Sequence, residues 1–137
     1  MEYEIVNQLT EPQKHQLLVL LKQQWWSQEY TPEDIESLLK NSSLIIGLIE
    51  ANTQRLVGFT HVLTDYFKFA YIYDVVVAPE HRGKQLGKKL IELILENEII
   101  KKIENIELTC RKEMIPFYQK FGFSEDYGEV VPMRRGQ

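Results

Sequence analysis

The sequence predicts a mixed α/β fold: a mostly antiparallel sheet with one parallel central strand pair and helices on both faces. Three observations carry the prediction. Runs at 44–49, 55–64 and 69–77 are rich in β-branched and aromatic residues and are separated only by short polar turns, the pattern of an antiparallel meander. A helical stretch from Leu86 onward then stands between the third run and another strand-like segment, Asn105 to Cys110. Strand, helix and strand in that order close as a right-handed parallel crossover.

Tyr3 to Val6 is a short first strand. Thr10 followed by Gln13 is a capping box, and Pro12 falls in the first turn, where a proline is tolerated. Leu18, Leu21 and Trp25 give i, i+3, i+7 spacing for the helix that follows. Thr31-Pro32-Glu33-Asp34 starts a second helix with Ile35, Leu38 and Leu39 as its apolar face. Ala51 to Gln54 is a hairpin turn, and Asp65 to Lys68 is a polar connection in which Asp65, at a strand end, is a turn residue or a further candidate base. Pro79 ends the third strand run, since it has no N–H to give a neighbour. Leu86, Leu90, Leu93 and Ile94 then change the apolar period from two to helical. Met114 to Phe121 reads as a short helix ended by Gly122, and Val130 to Met133 as a last edge strand that Pro132 suits.

At 137 residues the chain is read as one domain, 1–137, able to bury ~68–70% of its unfolded surface. A net charge of −4 argues against general attraction to nucleic acid, so any basic patch is local. Cys110 is the single cysteine; no intramolecular disulfide is possible, and the usage fits a reducing cytoplasm. The N-terminus has no basic region followed by an apolar run, and no stretch approaches the ~20 apolar residues of a membrane helix. His15, His61 and His81 have no metal-ligand spacing with Cys110 or with one another; no metal is expected, and the three are read as structural or exposed.

The local basic patch is Arg82-Gly83-Lys84-Gln85-Leu86-Gly87-Lys88-Lys89, without an acidic residue, at the start of the central helix. Free N–H groups of a first helical turn and the helix dipole favour an anion there. Spacing excludes two familiar phosphate loops. A Walker loop needs four residues before its Gly-Lys pair and then Ser or Thr. Here three residues separate Gly83 and Gly87, and Lys89 occupies the hydroxyl position. A dinucleotide fingerprint needs three glycines, and the loop has two.

Val75-x-Val77-x-Pro79-x-x-Arg82-Gly83-x-x-x-Gly87 with its apolar helix resembles the acetyl-CoA motif of the GCN5-related N-acetyltransferases, the GNAT family. Phe117-Tyr118-Gln119-Lys120-Phe121-Gly122-Phe123 resembles that family's helix-then-strand ending, and the element order is similar along essentially the whole chain. One residue departs: Gln85 stands where the family usually has a middle glycine, and it is expected to be already helical, with its side chain turned away.

The resemblance implies an acyltransferase that moves acetyl from acetyl-CoA, its cosubstrate, to a primary amine by direct attack on the thioester. A small-molecule acceptor is expected, with a protein N-terminus or lysine, or a non-catalytic acyl-CoA-binding domain, as alternatives. It assigns pantetheine to the backbone of Val75, Val76 and Val77, and the pyrophosphate to Arg82, Gly83, Lys84, Gln85, Leu86, Gly87 and Lys88, with Phe117 beside the cofactor. A side chain at Gly87 would intrude on that approach. Tyr118 matches the family's general acid at the sulfur; helical spacing with Ile115 and Phe121 also allows a packing role. Asp74, read on the same strand face as Ile72 and Val76, is either a base or a structural hydrogen-bond acceptor. Trp25, Trp26 and Tyr30 would frame the acceptor pocket, one Trp being core, and Tyr71 and Tyr73 would make it aromatic. No nucleic acid and no membrane is expected as a partner, and monomer and homodimer are equally open.

Overall fold

The computed structural model describes residues 2–136. Its elements run β1 (Tyr3–Val6), α1 (Glu11–Lys22), α2 (Pro32–Asn41), β2 (Leu44–Glu50), β3 (Arg55–Thr64), β4 (Phe69–Val77), α3 (Leu86–Glu96), β5 (Asn105–Glu107) and α4 (Ile115–Gln119). The five strands form one sheet in the order β1-β2-β3-β4-β5, antiparallel except for the parallel β4–β5 pair. The meander and the crossover thus both form as the element order requires.

Both predicted helix starts are capping boxes. Thr10 accepts from the Gln13 N–H while the Gln13 side chain accepts from the Thr10 N–H, and Thr31 and Asp34 do the same for α2. α1 buries Leu17, Leu20 and Leu21 and ends at Lys22, so Trp25 lies beyond it rather than on its apolar stripe. α3 buries Leu86, Leu90, Ile91 and Ile94, with Leu93 at the margin. The two sheet faces follow from the register, because directly opposed residues share a face. Gly47, Phe59, His61 and Tyr73 face α1; Leu48, Gly58, Val62 and Ile72 face α3. Among the described residues no helix is long and apolar enough to cross a membrane.

Three expectations change. β5 covers only Asn105–Glu107, because β4 pairs with it only over Phe69–Tyr71. Beyond Tyr71 a bulge bends β4, so the rest of 105–110 has no strand to join. The helix expected from Met114 begins at Ile115 after a 3-10 turn over Lys112–Met114, and it ends early, with Gly122 at φ +91 and the Phe123 N–H returning to the Tyr118 carbonyl at 3.3 Å. Residues 130–133 form no strand: Val130, Val131 and Met133 are exposed, the β5 edge is only three residues long, and Pro132 lacks a donor.

Candidate functional site

The bulge in β4 builds the site. The register passes from His61↔Tyr73 to Phe59↔Val76, so Asp74 and Val75 together oppose Thr60. Asp74 takes φ 51, a left-handed backbone that costs a non-glycine residue ~1–2 kcal/mol. This overturns the expected alternation. Ile72 faces α3 whereas Val76 faces α1, so Asp74 does not share one face with both. Its carboxylate instead joins His61 and Tyr73 under the α1–α2 connection.

There the groups interlock. The Trp26 indole N–H donates to Asp74 Oδ1 at 2.6 Å, and Asp74 Oδ2 lies 2.7 Å from His61 Nε2. His61 Nδ1 is 2.9 Å from Ser42 Oγ, and that hydroxyl donates to the Leu38 carbonyl at 2.6 Å. The Tyr73 ring stacks on His61 with centroids 5.3 Å apart, and Tyr71 lies 4.6 Å beyond Tyr73. Tyr30, Asp34, Tyr73, Asp74 and His61 line a cleft of about 520 Å³. Burial, and then the carboxylates of Asp74 and Asp34, push the Tyr30 hydroxyl up. Neither tryptophan is core: Trp25 and Trp26 are both exposed, edge to face, with the Arg111 guanidinium 4.4 Å over Trp25. Asp65 is outside this cluster; its Oδ1 accepts from the N–H groups of Phe67, Lys68 and Phe69, the turn role expected of it. Those bonds, that of Phe69 foremost, lower its pKa.

At the other end of β4 the chain enters the glycine loop through a 3-10 turn, Pro79–His81. The turn is tied down by the Ala78 N–H on the Val57 carbonyl at 2.8 Å and by buried His81, whose Nδ1 lies 2.9 Å from the Tyr3 hydroxyl. Gly83 has φ +79 and Gln85 has φ 62, ψ 27. Gln85 is therefore left-handed, not helical as expected, because α3 starts only at Leu86 and the chain must turn sharply into it. Left-handed residues in a short loop gather successive N–H groups into a concavity suited to an anion. No side chain caps α3, so its first-turn amides are not taken up by its own N-terminal residue. A Cβ on Gly83 would meet nothing within 4 Å, and one on Gly87 only the Phe117 ring at 3.6 Å. The cradle is thus open, with Phe117 as a wall beside its helical side.

Between these ends β4 has no strand on its β5 side after Tyr71. Among the described residues Val75–Val77 at this notch therefore have a strand partner on the β3 side alone, and an extended ligand can add to such an edge as a further strand does. Tyr118 stands on α4, which follows β5, packed edge to face against Phe117 and Phe123. Burial, and then the neighbouring Cys110, push its hydroxyl up to about 12, so it carries its proton at neutral pH. Burial likewise raises the Cys110 thiol. An anion cradle, a notch, a protonated phenol and a carboxylate–imidazole pair together suit acyl transfer from a phosphorylated thioester to a nucleophile. Sequence reading leaves His61 as structural or exposed because its partner Asp74 lies on another strand and the two meet only through strand pairing and a bulge.

The profile of the acetyltransferase (GNAT) family matches residues 8–123. The uncharacterized N-acetyltransferase ycf52 of Porphyra purpurea is 37% identical over 101 residues, which is 72% of this chain and 58% of that protein. Histone acetyltransferase TAP1 of Glycine max is 34% identical over 101 residues, 67% of this chain and 44% of that protein. The chain thus spans about half the length of these curated relatives. A GNAT-family crystal structure from Xanthomonas campestris pv. campestris superposes with a TM-score of 0.86 at 22% identity, covering 100% of this chain and 94% of the other. An aminoglycoside 6'-N-acetyltransferase complexed with coenzyme A gives 0.62 at 23% identity, over 79% of this chain and 61% of the other.

Proposed function

From membership of the acetyltransferase (GNAT) family, to which this chain belongs, we propose that it transfers acetyl from acetyl-CoA to the primary amine of a small molecule. The observation that carries the donor is the uncapped start of α3 behind two left-handed loop residues. In this reading the amides from Arg82 to Lys88 hold the pyrophosphate and the Arg82, Lys84 and Lys88 cations add attraction. Acetyl-CoA supplies the activated acyl group. The backbone of Val75, Val76 and Val77 guides the pantetheine arm along the notch, with Phe117 beside it.

Three tasks fall to the protein's own groups. An alkylammonium with a reference pKa of ~10.4 must lose a proton, at ~1.36 kcal/mol per unit above the working pH. Of the two carboxylates that line the cleft, Asp34 and Asp74, Asp74 is the proposed acceptor. The thioester must be held within reach of the amine, which the cradle and notch do by fixing the donor at both ends. The departing thiolate must gain a proton, and Tyr118, protonated by virtue of its burial, is the donor.

The acceptor reading rests on the cleft. It is lined by the aromatic rings of Tyr30 and Tyr73 and by the Asp34 and Asp74 carboxylates, with no Lys or Arg among its lining residues. Trp26, Trp25 and Tyr71 extend the aromatic surface. That chemistry favours a cationic amine over a phosphorylated or carboxylated acceptor. A screen of primary amines, aminoglycosides and lysine or N-terminal peptides, reading free CoA, tests it: turnover is expected with small amines. Turnover with peptides alone would reassign the substrate. Tyr118→Phe is expected to lower kcat by ~10²–10³-fold while leaving acetyl-CoA affinity unchanged. Equal turnover by the variant would move Tyr118 into a packing role, as in a domain that binds acyl-CoA without using it.

A further inference from the structure

Two neighbouring tryptophans reach opposite sides of the notch. Trp26, on the α1–α2 connection, donates its indole N–H to Asp74 Oδ1 at 2.6 Å, on the β4 side. Trp25 carries the Arg111 guanidinium 4.4 Å from its ring centre, and Arg111 belongs to the segment between β5 and α4. The register sets these contacts at one level. Tyr71 pairs with Glu107 in the parallel β4–β5 ladder, and Asp74 and Arg111 stand three and four residues beyond that pair. The α1–α2 connection therefore crosses the notch where the two chains have parted, on the α1 face of the sheet. The anion cradle opens at the start of α3, which packs on the other face.

The parts of this bridge differ in firmness. Its backbone is pinned by buried Ser27, whose hydroxyl donates to the Leu21 carbonyl and whose N–H donates to the Gln24 carbonyl. The Trp26 contact is a hydrogen bond to a buried carboxylate. The Trp25 contact joins two side chains that are both more than half exposed, and Glu113 Oε1 is a second partner for the guanidinium at 3.9 Å. A cation–π contact at an exposed site shifts an open–closed ratio only about two- to fivefold. Such a contact holds the two side chains together and still parts readily.

We propose that Trp25 and Arg111 form a side-chain gate over the acceptor mouth of the notch. Closed, the gate keeps water from the thioester; the acceptor amine enters by parting it. An ammonium replaces the guanidinium over the Trp25 ring, so a cationic acceptor opens the gate and water does not. The proposal rests on the acetyltransferase reading and adds to it a control on which nucleophile reaches the acyl carbon. With the gate open and no amine present, a water oxygen bonds to the acetyl carbonyl carbon and the C–S bond breaks. Acetate and CoA are the products, with one of the water's protons on the sulfur and the other in solvent. Nothing is oxidised or reduced.

The test measures free CoA released from acetyl-CoA, first without an acceptor and then with the best acceptor of the amine screen. Arg111→Met, Trp25→Ala and the double variant are expected to bind acetyl-CoA within about twofold of wild type and to hydrolyse it about two- to fivefold faster. The double variant is expected to match the single ones, because both substitutions remove one contact. Unchanged hydrolysis, or effects that multiply in the double variant, would overturn the gate. A covalent bridge supplies the opposite arm: a protein with Trp25→Cys, Cys110→Ser and Arg111→Cys, joined by a short bis-maleimide. Bridging is expected to return hydrolysis to the wild-type rate or below, and to slow amine acetylation at least about tenfold against each singly labelled control. Acetylation at the full rate through a bridged gate would overturn it equally. If wild type neither binds acetyl-CoA nor acetylates any amine, the transferase reading itself fails, whereas normal wild-type acetylation with indifferent variants removes only the gate.

Discussion

Among the described residues the three long helices begin in two different ways. α1 and α2 each start at a threonine whose side chain and third residue satisfy one another's amides in a capping box. α3 starts at a left-handed glutamine with no side-chain cap and no acidic residue in its first turn. Capped ends are complete within the protein. The uncapped end presents its amides and dipole outward, preceded by a loop of glycines and cations, and so it is suited to an anion from outside. Two helix starts are satisfied by their own side chains, and the third is the one proposed to take a ligand.

The strongest way to break that division is to put a negative charge in the open end. Gly87→Glu would set a carboxylate against the expected diphosphate and bring its stem towards Phe117, 3.6 Å from the Cβ position. Acetyl-CoA affinity is expected to drop about 100-fold, equivalent to ~2.8 kcal/mol, with the fold kept, as read by calorimetry and circular dichroism. Undiminished affinity would take the ligand away from α3.

Protons at the far end of the site sharpen the comparison next. Tyr118 is raised in the folded state to about 12 by burial. The folded protein therefore holds this proton more tightly than the unfolded chain, whose tyrosine titrates near 10. The resulting stabilisation is complete below pH ~10 and is lost as pH rises towards 12, at up to ~1.4 kcal/mol per unit. Denaturant melts of wild type and Tyr118→Phe at pH 9 and 11 should show their stability difference moving against wild type by about that amount. Parallel curves would mean that the hydroxyl is not buried as described.

The smallest effects separate the helix starts directly. Thr31→Ala should cost ~1 kcal/mol of stability and leave acetyl-CoA affinity untouched. Gln85→Gly removes a left-handed side chain and should stabilise by ~1 kcal/mol, again without loss of affinity. A large affinity loss in Gln85→Gly would show that the glutamine side chain itself holds the ligand.

Much of this was legible in the chain because the signals are local. Thr10 with Gln13, Thr31 with Asp34, and the change of period at Leu86 each declare themselves within one turn of helix. The glycine loop and the Phe117–Phe123 ending were legible as motifs for the same reason. The bulge was not. Tyr73-Asp74-Val75 carries no glycine or proline, and its left-handed Asp74 is held by Trp26 and His61, which are 48 and 13 residues away. Without the bulge the alternation of β4 assigns Asp74 to the wrong face, β5 looks longer than it is, and His61 looks incidental. Gln85 misleads similarly: its own propensity favours a helix, and the turn into α3 overrides it. The tail over 130–133 has strand composition but only a three-residue edge to meet.

The central claim is that the open start of α3 binds the diphosphate of acetyl-CoA. Titration calorimetry of acetyl-CoA against S-acetylpantetheine, which keeps the thioester arm and lacks the diphosphate, tests it most directly. Two or more charge-assisted hydrogen bonds at ~1.5–3 kcal/mol each predict that acetyl-CoA binds at least about 100-fold more tightly. Equal affinity for the two would contradict the account.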